Sequence, residues 1–283
     1  MTAQEVLQAV PALPAVSPAA LQLMRLLGRE DADGTDVLRC LKHDPSLTAR
    51  LLRLCNSAAL GLPQEVVSVD QALFLLGYRT LHELAVQAAL GDALSIALPP
   101  YAIEPQTLWR HSVVTARAAE LLAEKCPNEA PPPDLAFTAG LLHDIGKLVL
   151  ARVMDEPACA AIRHALEVEG QPWIEAERQA LQTDHAEVGA ALLERWELPR
   201  PLIHAVAAHH QPCRTCHPPL CELIHLADCL AHVVGADAGM HALAQCVDTG
   251  AAEHWQLQTK EVEGLVAELA GHIAQVEASL EVP

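Results

Sequence analysis

The chain has 283 residues, is 51% hydrophobic but only 3% aromatic, and carries a formal net charge of −18. That length suits one large domain or two modest ones with a sizeable core, and an interior of Leu, Ala and Val favours packed helices over a sheet sandwich. The acidic balance argues against direct nucleic-acid binding, because phosphate contacts need clustered Lys and Arg and no run of the sequence shows them.

The opening MTAQEVLQAV lacks the charged start and apolar run of a signal peptide. The longest apolar stretch, Leu84 to Leu98, is interrupted by Gln87 and Asp92 and is too short to span a bilayer. A cytoplasmic location without membrane association is therefore expected, and nine irregularly spaced cysteines read as reduced thiols. Residues 45–58, PSLTARLLRLCNSA, set Leu47, Leu51 and Leu54 on one stripe, and Asn56 stands where a helix C-cap falls. Gly-Leu-Pro at 61–63, Pro99-Pro100 and Pro131 to Pro133 mark loops. Ser68 with Gln71, and Asp184 with Glu187, have capping-box spacing. No fixed-period repeat or low-complexity segment occurs. The expectation is an all-α protein: an N-terminal helical part over 1–105, a second helical part over 106–235, and a C-terminal helical extension over 236–283.

Polar residues fall on the apolar stripes of the second part. In the helix of residues 106–125, His111 shares a stripe with Leu108, Thr115, Ala119 and Leu122. Residues 134–150 carry Leu135, Ala139 and Leu142, with His143 and Asp144 beside them and Lys147 one turn on. His185 lies one turn before Val188, Leu192 and Trp196. In RPLIHAVAAHH, Leu202 and Val206 lead to His209 and His210. In PLCELIHLADCLAH, Asp228 shares the face of Leu220, Ile224, Ala227 and Ala231. A single inward histidine is more often a satisfied core residue. Adjacent His-Asp and His-His pairs, each on a core face, shift the balance, because a buried carboxylate needs a partner and several imidazoles around one make a metal site.

The order of these residues resembles a known signature. His111, then His143-Asp144 with Gly146-Lys147, then Asp228 is similar to the H…HD…D pattern of the HD superfamily of metal-dependent phosphohydrolases. His185 and His209-His210 resemble the extra histidines with which its HD-GYP branch holds a second metal. LPAVSPAALQLMRLL, HDPSLTARLLRLCNSAALG and SVDQALFLLGYRTL look like an HDOD domain, the HD-related output domain of bacterial signalling proteins, over roughly residues 13–212. The resemblance implies an HD-like helical domain preceded by an N-terminal helical bundle. It also marks the Asn56-Ser57 segment as a family hallmark without an assigned role.

Such a constellation suits two cations. Asp144 has two oxygens and can bridge them, while neutral imidazoles of His111, His143, His185, His209 and His210, together with Asp228, fill either side. Mixed nitrogen and oxygen donors favour iron or manganese over zinc, and a metal pair suits phosphoester hydrolysis. If the protein is an enzyme, Asp144 and Lys147 are the catalytic candidates; Lys147 is placed either to meet a phosphate oxygen or to act as counter-ion to Asp144.

Departures from the HD-GYP enzymes matter. Gln211 follows the His-His pair where those enzymes have Glu, no Gly-Tyr-Pro loop follows, and Thr107 stands where an acidic residue would support a third metal. Cys213 to His217, CRTCH, fits a haem-attachment pattern that requires export, or with Cys221 a zinc site, although a lone Cys-x-x-Cys is a weak signal. Residues 251–283 read as an amphipathic helix for packing on the domain or on a second copy in a homodimer. Two functions follow: a signalling module with a protein partner, or a phosphohydrolase acting on a nucleotide or cyclic dinucleotide.

Overall fold

Short polar caps start the helices of this chain. Thr2 and Glu5 form a complete capping box at the N-terminus, and Asp44 accepts from the backbone N–H groups of Ser46 and Leu47 at 2.9 and 3.0 Å, satisfying donors that a helix start leaves open. The two boxes expected from spacing form only by half. Ser68 accepts from Gln71 N, but the Gln71 side chain accepts from Val67 N and not from its own cap. Asp184 accepts from Glu187 N, while the Glu187 carboxylate takes the Thr183 hydroxyl.

The computed structural model describes residues 1–10, 16–27, 34–57, 60–125, 130–212, 218–236 and 249–280. Among them the protein is all-α, with no strand beyond an isolated bridge between Leu98 and Ile103. Among the described residues no helix is long and apolar enough to cross a membrane. The first part holds α1 (Ala3–Ala9), α2 (Pro18–Leu27), α3 (Gly34–His43), α4 (Pro45–Cys55) and α5 (Val69–Leu94), then a 3-10 turn at Pro99–Tyr101. Gly77, at φ 78°, kinks α5, a conformation that a residue with a Cβ resists.

Asn56, the C-cap of α4, does more than end a helix: its side chain donates to Val66 O at 2.8 Å and accepts from Val66 N at 2.7 Å. Asn56 thus ties the end of α4 to the segment leading into α5.

The second part comprises α6 (Thr107–Lys125), α7 (Pro133–Leu142), α8 (Lys147–Leu150), α9 (Glu156–Glu167), α10 (Trp173–Leu181), α11 (His185–Arg195), α12 (Arg200–Ala208) and α13 (Pro219–Val233). α14 (Thr249–His254) and α15 (Thr259–Leu280) follow. Central helices α6 and α13 are buried on nearly every side, and one hydrophobic core runs from Val6 to Leu269. The α1 and α2 segments reach the second part directly, through the Met1 amino group on Leu181 O and Arg25 on Trp196 O. α15 packs within its own chain, with Leu265 and Leu269 buried and Glu268 3.5 Å from Arg117.

Residues 134–150 are not one helix. α7 ends at Leu142, and a turn over 143–146 precedes α8. A close crossing lies at this turn: a Cβ on Gly146 would lie 1.9 Å from His185 O and 2.6 Å from Gly189 N, so α8 meets α11 backbone to backbone. The crossing brings His143 and Asp144 off α7 toward the start of α11.

Candidate metal centre

Each ring at the centre is held from behind. The Nδ1–H of His111 donates to Ala236 O, that of His143 to Gly140 O and that of His209 to Val206 O, each at 2.7 Å. The Nδ1–H of His185 donates to the Glu177 carboxylate at 2.7 Å. All four therefore present an Nε2 lone pair inward, the tautomer that outer partners impose on metal-ligating histidines.

Those lone pairs converge. His111 Nε2 and His143 Nε2 lie 3.1 Å apart, yet both rings already spend their proton on a carbonyl, so two acceptors face each other unless a cation stands between them. His209 Nε2 is fully buried with no hydrogen-bond partner, a loss worth about 1–3 kcal/mol if nothing occupied it. These two observations fit a metal centre and fit a packed polar core poorly.

Asp144 sits in the middle. Its Oδ2 lies 3.6 Å from His111 Nε2 and 3.5 Å from His143 Nε2, and its Oδ1 lies 3.3 Å from His185 Nε2 and 3.9 Å from His209 Nε2. One carboxylate thus offers one oxygen to each side. Asp228 Oδ1 is 3.2 Å from His111 and 3.7 Å from His143, and His185 Nε2 is 2.8 Å from His210 Nε2. Asp144, His185, His209 and His210 bring one donor atom each within 4.8 Å of one another, and so do His111, His143 and Asp144. All seven residues expected at the site come together.

Burial works to raise the Asp144 carboxyl, but the Lys147 ammonium and the imidazoles of His143, His185 and His111 outweigh it and hold it well below the carboxylate range. Asp228 is likewise held low against burial by its neighbours His111 and His232, with His143 adding to them. Burial lowers His209 to about 3, helped by His143 and His185, and it lowers His143 and His210 too. The carboxylates of Asp144 and Asp228 are thus ionised beside the neutral rings of His143, His209 and His210, the protonation states that metal binding requires. Lys147 is buried with its Nζ 2.5 Å from Asp144 Oδ2, in the counter-ion role of the two open to it.

A layer behind the donors had no sequence signal as strong. Glu177, fully buried on α10, accepts from Tyr101 Oη at 2.6 Å, Trp173 Nε1 at 2.8 Å, and both the backbone N and Nδ1 of His185. Burial raises its carboxyl, yet His185 and Tyr101 bring it below its ordinary value; Glu177 in turn lifts His185 against the pull of burial. His225 donates to His209 O at 2.8 Å. His232 lies 3.4 Å from Asp228, one helical turn along α13, a spacing readable in the sequence once Asp228 is chosen. The Cys213-Cys216-His217 segment lies outside the described residues.

The family model of the HDOD domain matches residues 13–212. A protein from Marinobacter aquaeolei VT8 with a provisional signal-transduction assignment has a similar structure, with a TM-score of 0.79 and 25% identity over 98% of this chain and 60% of its own. A Shewanella amazonensis SB2B protein, provisionally a phosphohydrolase, is similar at a TM-score of 0.73 and 26% identity over 98% of each chain. An uncharacterized protein from Treponema pallidum (strain Nichols) is 28% identical over 200 residues, 70% of this chain. The match spans only 37% of that longer relative.

Proposed function

Because this chain belongs to the HDOD family, we propose that it is a cytosolic signalling module that passes a stimulus to a protein partner. Its Asp144-centred site would hold two divalent transition cations, iron or manganese ahead of zinc, for structure or sensing. When bound, such ions polarise oxygen ligands and activate water. The chain's own residues orient the donors: Ala236, Gly140 and Val206 carbonyls and Glu177 aim the rings, and Lys147 steadies Asp144.

Burial carries this reading. His111, His143, Asp144, His185, His209 and Asp228 are each exposed by 1% or less, so a phosphoester has little access to the atoms it would have to meet. Lys147, which could otherwise grip a phosphate, is engaged by Asp144. Cys40, Cys55 and Cys221 are buried thiols outside any disulfide, which suits a reducing compartment.

A second reading, hydrolysis of a nucleotide or cyclic dinucleotide, is favoured by His210, which is only partly buried and would open one side of the site. Protein purified without chelator, checked for metal and loaded with iron or manganese, separates the two. We expect bound metal with weak or absent hydrolysis of an aryl phosphodiester and of cyclic di-GMP. A kcat/KM for cyclic di-GMP above about 10⁴ M⁻¹s⁻¹, the low end for ordinary enzymes, would overturn the signalling reading.

A further inference from the structure

His232 belongs to no part of the motif that identified the site, yet it stands at chelating distance from it. It lies on α13 four residues after Asp228, so both side chains project from one helical face. Its Nε2 is 3.4 Å from Asp228 Oδ1, and His111 Nε2 is 3.2 Å from that same oxygen. Donors sharing one first-row cation at about 2.1 Å lie roughly 3.0–3.4 Å apart in octahedral or tetrahedral geometry, and both contacts match. The rings of His111 and His232 have centroids 5.0 Å apart, and His111, Asp228 and His232 each offer an atom within 4.8 Å of the others.

We propose that His232 is a metal ligand, an additional donor to the divalent transition cation held by His111 and Asp228. The inference rests on the metal reading above and deepens it. With His232 engaged, the outer cation has the imidazoles of His111, His143 and His232 and the carboxylates of Asp144 and Asp228 within reach. Five protein donors leave at most one position of six for water or substrate. Structural metal sites are closed in this way, whereas catalytic ones keep positions open. The side chain of His232 is 10% exposed, against 1–2% for His111 and Asp228. It therefore stands on the solvent side of the centre, where a substrate would otherwise approach the cation.

Cobalt(II) titration of the metal-free full-length chain tests this, with the visible d–d spectrum and chelator competition as readouts. Wild type should take up two ions, and His210→Gln and Asp228→Asn should identify which phase belongs to which side. His232→Gln should weaken the Asp228 phase by at least about tenfold, the scale on which even outer partners of metal ligands act, and should alter its spectrum. The His210 phase should stay within a few-fold of wild type. His232→Asp, which restores an oxygen donor, should recover most of the lost affinity; a histidine that merely packs or donates a hydrogen bond would not be rescued by a carboxylate. Two ions bound by His232→Gln with wild-type affinity and spectrum, or weakening confined to the His210 phase, would overturn the ligand role alone. Failure of wild type to bind any transition metal would overturn the metal reading and this inference together.

Discussion

At the scale of single residues, the facing Nε2 atoms of His111 and His143 set the problem that the site must solve. Neither neutral ring can turn its proton inward without abandoning a backbone carbonyl, and a cation between them would relieve the facing lone pairs. Asp144 serves both halves of the centre with separate oxygens, and Asp144→Ala should therefore lose both ions, as elemental analysis would show. One ion retained at wild-type occupancy would mean that Asp144 does not bridge. Glu177 acts through His185. Glu177→Gln leaves an amide that can donate its own N–H toward Nδ1 and favour the wrong tautomer, so affinity at the His185 side should fall about 10- to 100-fold. Chelator competition measures this, and an unchanged affinity would reduce Glu177 to a buried packing group. The inward-facing histidines and aspartates were legible because apolar stripes betray polar residues among them. Glu177 and Tyr101 were not, since their role exists only in a contact between segments 76 residues apart.

Among elements, the α8–α11 crossing and the α5–α6 contact each carry a measurable consequence. Gly146→Ala would drive a methyl into the His185 carbonyl and the Gly189 amide. It should cost at least about 3 kcal/mol, at the severe end for overpacking, and should reduce metal occupancy because both backbones carry donors. Urea unfolding that matches wild type would refute the close approach. Along α5 and α6, Glu83 is mostly buried beside Glu120, with Arg79 and Arg117 nearby. Burial and the Glu120 carboxylate push Glu83 up to about 8, against the partial relief of Arg117 and Arg79. The folded chain then keeps a proton there that the unfolded chain releases near pH 4.3. Stability from this group is complete below about pH 4.3 and is lost as pH rises toward 8. Glu83→Gln should flatten that decline, giving a gain over wild type that grows steadily from pH 5 to pH 8.5; denaturant midpoints across pH check it. Capping spacing located the starts of α5 and α11, but not the end of α7 at Leu142, where no Pro, Gly or cap residue marks a stop.

For the whole molecule, ions that bind only the folded chain stabilise it by mass action, by about 2.7 kcal/mol at a free concentration 100 times the dissociation constant. Melting should therefore rise by about 5 °C or more on adding iron or manganese to metal-free protein, and Asp144→Ala should show no such rise. Equal melting of the loaded and metal-free wild type would leave the centre without a structural role. The helical class, the family pattern and the residues that meet at the centre can be read along the chain, because periodic burial and the order of His and Asp residues are local features. Which nitrogen each ring presents, the pairing of Lys147 with Asp144, and the places of Glu177 and His232 beside the site emerge only in the folded chain. Those facts depend on distances between side chains from separate helices, set by backbone crossings such as Gly146 against His185, and no local pattern encodes them.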